Sequence, residues 1–466
     1  MTKTFFITDS FLLKHQCEWT NSHVETPERL GKIIEKLESC GILDQCERLE
    51  SRDADEKEIQ LVHSKKYYET IKESTKMNLA ELENLCTQIE DSFLNQYTFD
   101  VSVKAVGCAL KLMENILSNS GSNGFAAIRP PGHHANPING CGFCIFNNVA
   151  ICAKKARQMG LKKVLIIDWD VHAGQGTQYC IENDSGIFLI SIHRYESGNK
   201  WPNLPESNIK SNYKQTLNVP LQKIGLGDAE YAAFIDLIVR PIIADYKPEL
   251  ILVSCGFDAG FGDCEGEMNV TPAGFGHLTG TLASLNIPLV LLLEGGYFVN
   301  ALPEHAFHTI KALIERTPTA LPLGFPSLED MIPFTGKPKY TLPYTTRGAY
   351  ETMPDVNKFD DIFFKQLLPR YSNPPIRSTL DFTTQESTIV ISCNGNTLIK
   401  FTPSKNNKDE EIMFIYHFVY LPLTWQYKVD WKILKELILK TEGKNEAKLE
   451  VEKCSNLINS VLLEIS

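Results

Sequence analysis

Five short runs in this chain are almost wholly apolar: Gly124–Ile128, Val164–Trp169, Ile187–Ile192, Leu250–Cys255 and Leu289–Glu294. Such runs fit strands covered on both faces, because a strand with one wet face alternates polar and apolar residues. Longer amphipathic segments surround them: Pro27–Cys40, Ser102–Leu117, Ile145–Gln158, Ala229–Ala244, Pro272–Leu282 and Val299–Ile314. The first opens on Thr26-Pro27, an N-cap residue followed by proline at the first helical position. This alternation predicts an α/β fold with a largely parallel central sheet and helices on both faces. In such sheets the chemistry gathers in loops at the carboxyl ends of the strands.

The pattern changes near residue 320. Ten of the 24 prolines fall between Pro318 and Pro375, too many for regular structure. The chain therefore reads as a first domain over 1–320, a Pro-rich linker or wrapping segment over 321–380, and a small α+β module over 381–466. In that module Thr388–Ser392 and Thr397–Phe401 flank Asn394-Gly395, a hairpin signal, and Ile412–Leu421 reads as a third strand. Two helices are expected near Asp430–Leu439 and Glu446–Leu463. No ligand set stands out there, which leaves a structural or partner-binding role. Ile433, Leu434, Leu437 and Leu439 have a spacing shared by export signals and buried helix faces.

Charge and cysteine usage narrow the function classes. With 46 basic and 57 acidic residues the formal net charge is -11, and no long Lys/Arg run offsets it. That argues against nucleic acid as a partner and suits a cationic substrate. The 13 cysteines mostly sit in apolar company, as at Cys108, Cys152 and Cys255, which suggests free thiols in a reducing compartment. The start, MTKTFFITDSFLL, has one lysine, a short apolar patch and then Asp9, unlike a signal peptide. Apolar runs such as Ile287–Leu293 fall far short of the ~18 residues of a membrane span. The expectation is a cytoplasmic protein, with nuclear entry open.

Chemistry concentrates at the ends of the apolar runs. After the first comes Arg129-Pro130-Pro131-Gly132-His133-His134-Ala135, tandem histidines on a loop stiffened by proline. The next ends in Asp168-Trp169-Asp170-Val171-His172, whose alternation puts Asp168, Asp170 and His172 on one face. Carboxylates aimed the same way repel unless a cation or proton lies between them. Asp258 follows the run Leu250–Cys255, and Glu294-Gly295-Gly296-Tyr297 closes the last. Asp170, His172 and Asp258 form a one-histidine, two-carboxylate set with a fourth position open, which matches catalytic zinc in kind.

RPPGHHA, DWDVH, GFDA and LEGGY, in this order and spacing, resemble the zinc-dependent histone deacetylase family, and its class IIb members in particular. The likeness covers roughly residues 1–320 and includes PERL at 27–30, LVHS at 61–64 and HRYE at 193–196. It implies the arginase–deacetylase α/β fold, hydrolysis of N-acetyl amides, and zinc held by Asp170, His172 and Asp258. By the same resemblance His134 is the general base and acid, and His133 beside it is an electrostatic or second acid group. Asp168 and Gln175 match the positions that back the two imidazoles, and Tyr297 matches the donor to the oxyanion. A potassium ion is implied near Asp168, Asp170, His172, Ser191 and Ile192. Phe143, next to Gly142, and Trp201 match the two aromatic walls of a tunnel for an acyl-lysine stem. Ala173 stands where the family often has a second histidine, which implies altered packing with the metal kept. An arginase-like pair of metals is disfavoured, since Ala173-Gly174 supplies no carboxylate two residues after His172. Cys141-Gly142-Phe143-Cys144 also spells a Cys-x-x-Cys, so a redox or zinc-thiolate pair is a competing expectation.

Three functional readings follow. Deacetylation of acetyl-lysine in proteins, histone or cytoplasmic ones such as tubulin, stands first. Deacetylation of a small cationic acetylated polyamine comes next, and an inactive acetyl-binding scaffold is last. Glu265, in Gly262-Asp263-Cys264-Glu265-Gly266-Glu267, matches the position where the polyamine-deacetylating branch carries glutamate at the tunnel mouth. The competing expectation is one more solvated acid beside Asp263 and Glu267. The branch also narrows its tunnel with an insertion before PERL, whereas Thr20-Asn21-Ser22-His23-Val24 is shorter and lacks that motif.

Overall fold

The structure, a computed structural model, describes residues 3–20, 23–209 and 213–321, together with the backbone of five strands between 380 and 426. The described residues fall into two units, one of 3–228 with 247–319, the other of 229–246, 320–321 and those five strands.

The first unit is built on eight parallel strands: β1 (Thr4–Ile7), β2 (Glu47–Arg48), β3 (Asn123–Ala126), β4 (Val164–Asp168), β5 (Ile187–Arg194), β6 (Thr216–Leu221), β7 (Leu250–Cys255) and β8 (Leu289–Leu293). Their order is β2-β1-β3-β8-β7-β4-β5-β6. Every residue of β3, β4, β7 and β8 is buried, as the apolar runs require. Helices pack in two groups, Thr98–Ser118 with Asn148–Gln158, and Pro27–Ser39 with Pro272–Ala283 and Leu302–Glu315. Together they cover both faces. The register sets Asp168 level with Ser254, Cys255 with Leu293, and Ala126 with Leu292. Four carboxyl ends thus lie side by side, and the four motif loops leave the sheet at one rim.

Several expectations need correction. Thr4–Ile7 and Thr216–Leu221 are strands that the sequence reading passed over. Pro220 argues against a central strand, and β6 resolves this by lying at the sheet edge, where a missing N–H donor costs little. The helix expected over Ala229–Ala244 is broken into Asp228–Ala233, a π-helical turn at Phe234–Val239, and Arg240–Tyr246. Pro241 has no N–H to bond back into the helix, which accounts for the local change of winding. Thr26 is at the N-cap position of Pro27–Ser39, but its hydroxyl makes no cap bond.

In the second unit the five strands form an antiparallel meander: β9 (Leu380–Gln385), β10 (Thr388–Cys393), β11 (Asn396–Lys405), β12 (Glu411–Tyr416) and β13 (Thr424–Gln426). The two segments flanking Asn394-Gly395 do pair with each other. β9 and β13 were not expected. The two expected C-terminal helices, the leucine pattern at 433–439 and nearly all of the Pro-rich segment lie outside the described residues.

Candidate active site

Asp170 and His172 extend from β4, and Asp258 follows β7. One ligand atom from each of the three lies within 4.8 Å of the others, and all three residues are buried. His172 Nδ1 is 3.2 Å from Asp170 Oδ1 and 3.2 Å from Asp258 Oδ2. Two donors on one tetrahedral zinc, at bonds of about 2.0–2.2 Å, stand roughly 3.4 Å apart, so the set fits that ion. Backbone amides hold the outer lone pairs. Val171 N–H donates to Asp258 Oδ1 at 2.8 Å, and Gly295 N–H to Asp170 Oδ2 at 2.9 Å. Gly295 must be glycine, because a Cβ there would stand 2.3 Å from Asp258 Oδ2 and 2.6 Å from Asp170 Oδ2. Burial, then the Asp170 charge, pushes the Asp258 carboxyl up. His172 is driven up against its own burial by hydrogen bonds to both carboxylates. The cluster attracts positive charge.

The tandem histidines lie beside it with ring centroids 3.8 Å apart and planes tilted by 41°. His133 Nδ1 meets Asp168 Oδ2 at 3.0 Å, while His134 Nδ1 meets Gln175 Oε1 at 2.7 Å. Burial lowers both imidazoles. At His133 the Asp170 and Asp168 charges outweigh it and raise the group well above its ordinary value. At His134 burial is reinforced by His133 and His172, and the ring is held neutral. Glu294 Oε2 accepts the N–H groups of Gly132 and His133 at 2.6 and 3.1 Å, tying the loop after β3 to the loop after β8.

Aromatic rings line the approach. Trp201 lies 4.6 Å from His134 and 5.8 Å from His172, and Phe143 packs edge-on against Tyr297 at 5.7 Å. Gly142 and Phe143 both have positive φ, 52° and 65°, and Cys144 N–H closes the turn on the Cys141 carbonyl at 2.9 Å. This is a tight hairpin turn of the primed type. A Cβ on Gly142 would come within 2.5 Å of Trp201 and 2.7 Å of His134. Both cysteine side chains lie behind the histidine pair: Gln175 Nε2 donates to Cys141 Sγ and His134 N–H to Cys144 Sγ. Burial pushes the Cys141 thiol up to about 12 and raises the Cys144 thiol well above its ordinary value, which disfavours the redox and thiolate reading.

The rim is acidic. Glu265 N–H donates to Asp263, and Lys200 Nζ donates to the Glu265 backbone carbonyl at 2.7 Å. Among the described residues no ion pair engages the Glu265 carboxylate. Its charge is felt at Asp91, and Glu90 Oε1 accepts from Trp201 Nε1 at 3.0 Å. Asp263 is not the solvated acid the loop composition suggested. It is buried and receives the N–H groups of Tyr297 and Phe298 at 2.5 and 2.9 Å. Glu267 pairs with Arg194 at 2.6 Å. In the segment before PERL, His23 sets its ring 4.8 Å from Phe143. Ser191 lies level with Asp168 in the sheet, and its hydroxyl meets His193 Nδ1. Sequence reasoning quoted Arg29 and Arg129 only as letters of their motifs and passed over Glu25; all three are fully buried. A charged residue beside a helix start, as at Glu25 and Arg29, or opening a loop, as at Arg129, gives little sign of burial in the sequence.

Residues 23–313 match the Histone deacetylase domain family. Polyamine deacetylase HDAC10 of Danio rerio is 38% identical over 68% of this chain and 49% of its own length. The Homo sapiens protein of the same name is 41% identical over 62% of this chain and 44% of its own. Histone deacetylase 6 of Caenorhabditis elegans is 35% identical over 61% and 30%. The chain therefore matches about half the length of the first two, and less of the third. The crystal structure of the HDA15 HD domain superposes with a TM-score of 0.62 at 32% identity, covering 68% of this chain and 90% of that one.

Proposed function

The chain belongs to the histone deacetylase domain family, and from that premise we propose that it hydrolyses N-acetyl amides with zinc held by Asp170, His172 and Asp258. The observation that carries the reading is the convergence of that donor set beside a neutral His134 and the loop of Tyr297. When bound, the ion polarises the acetyl carbonyl and acidifies a water at the site. His134, oriented by Gln175, accepts the water's proton and returns one to the leaving amine. His133, paired to Asp168, stays charged and favours the oxyanion. Tyr297 donates its phenolic hydrogen to that oxyanion, and burial keeps the phenol protonated. Phe143 and Trp201 exclude water along the apolar stem. Asp168, Asp170, His172, Ser191 and Ile192 would hold a potassium ion that stiffens the loop after β4.

For the substrate we favour a small cationic acetylated amine over acetyl-lysine in a protein, reversing the order that the sequence suggested. Glu265 offers an unpaired carboxylate at the rim, and two relatives at 38% and 41% identity are named polyamine deacetylases. A charge-assisted bond there is worth about 1.5–3 kcal/mol, or roughly 10–200-fold. Comparison of kcat/KM for acetylspermidine and an acetyl-lysine peptide tests both levels. Glu265→Leu should cut the acetylspermidine value at least ~10-fold while peptide hydrolysis holds or rises. Parallel changes would remove the polyamine reading. A zinc-loaded wild type inactive on both substrates would remove the enzyme reading in favour of a scaffold.

A further inference from the structure

The loop bearing His133 and His134 leaves β3, and the loop bearing Tyr297 leaves β8. One buried carboxylate reaches both through two arginines. Glu25 Oε1 accepts from Arg29 Nη1 at 2.8 Å and from Arg129 Nε at 2.9 Å, and Glu25 Oε2 accepts from Arg129 Nη2 at 2.6 Å. All three side chains are shut off from solvent. Arg129 begins the histidine loop, and its remaining Nη1 donates to the carbonyls of Leu12 and His15. Arg29 turns the other way. Its Nε donates to the Gly296 carbonyl at 2.5 Å, its Nη2 to the Glu294 carbonyl at 2.6 Å, and its guanidinium lies 4.9 Å from the centre of the Tyr297 ring.

We propose that Glu25 is a positioning residue for the hydrolysis: it anchors Arg29 under Tyr297 and Arg129 under the histidine loop, and so fixes the oxyanion donor relative to the proton-transfer base. The proposal rests on the reading of Tyr297 and His134 given above. Its logic is electrostatic. Two guanidinium groups buried side by side repel, and a shared carboxylate is what lets both stay. A fork of planar N–H donors then carries that anchorage into fixed directions at the Gly296 and Glu294 carbonyls. The tie through Glu294 Oε2 joins the same loops by a carboxylate that meets the histidine loop at its backbone N–H groups. Of these two ties, the one through Glu25 extends to the ring of Tyr297, through the cation that lies over it.

Glu25→Gln keeps the shape and removes the charge. In the zinc-loaded full chain it should lower kcat by about 10–100-fold, the scale of a sub-ångström to 1 Å misplacement, with KM and zinc content held. In a Tyr297→Phe background the same change should add little, since the donor whose placement relative to the base it fixes is gone. Multiplying effects of the two substitutions, or loss of zinc in proportion to activity, would overturn the proposal while leaving wild-type deacetylation intact. A wild type without deacetylase activity would take down the functional reading and this inference together. Should Glu25→Gln not fold, Arg29→Lys carries the same test. It leaves the Glu25–Arg129 pair and withdraws the fork, and non-additivity with Tyr297→Phe supports the proposal where multiplication sinks it.

Discussion

His133 and His134 share a turn and an amino-acid type, yet their environments give them opposite charge states. A carboxylate behind His133 holds its proton; an amide behind His134 does not, and two neighbouring imidazoles discourage a third charge. Separate acid and base assignments arise from such pairs with divergent surroundings. The motif letters made the two rings legible in the sequence, and the resemblance supplied Asp168 and Gln175 as their backing groups. Nothing in the letters showed that Asp263 lies under Tyr297, because an acid in the run Gly262–Glu267 looks like its exposed neighbours. Tyr297 itself gives the sharpest single-residue expectation. Tyr297→Phe removes the hydroxyl proposed as the oxyanion donor and leaves Arg29, Asp263 and the proposed zinc ligands in place. Turnover should fall about 10²–10³-fold while bound zinc, counted by atomic emission, stays at the wild-type level. Unchanged turnover would assign the oxyanion to another group.

At the scale of elements, the sequence was most legible where a strand is buried on both faces. β4, β7 and β8 were read to within a residue, because a continuous apolar run ended by a charged or glycine residue has one natural boundary. β1 and β2 were lost because four and two residues carry too little pattern, and β6 because Pro220 belongs to an edge. The catalytic turns depend on backbone approach more than on strand content. The turn after β8 brings Gly295 against the Asp170 and Asp258 carboxylates, the proposed zinc ligands, so Gly295→Ala inserts a methyl where 2.3 Å is available. The sheet does not need that glycine, since β8 ends at Leu293. The variant should therefore keep the wild-type far-ultraviolet circular dichroism and lose zinc affinity and activity together. Full zinc occupancy in Gly295→Ala would show that the Asp170 and Asp258 side chains can yield at no cost, contrary to the packing seen.

Across the whole first unit, buried acids divide into two kinds, and they respond to pH in opposite windows. Burial pushes Asp228 and Asp263 up to about 6, against the hydrogen bonds they accept. The folded state then binds more protons than the unfolded one between about pH 4 and 6, and stability falls as pH rises through that range. Glu25 is the reverse case. Burial alone would raise it, but Arg129 and Arg29 together hold it down at about 2. Its contribution is complete above the unfolded glutamate value near 4.5 and is lost as pH falls toward 2. The shift corresponds to about 3 kcal/mol over that window. Glu58, also held at about 2, by Arg52 and neighbouring donors against its burial, is present in both proteins to be compared and cancels from their difference. Urea midpoints should be measured on metal-free protein from pH 5 to 2, so that release of zinc by acid adds nothing to the slope. Wild type should lose stability steeply below pH 4.5. Glu25→Gln should start lower at pH 5, because two buried guanidinium groups lack their counter-charge, and should lose less on the way down. Parallel slopes in the two proteins would mean that Glu25 is not ionised between its arginines, and the anchorage of both catalytic loops would need another source.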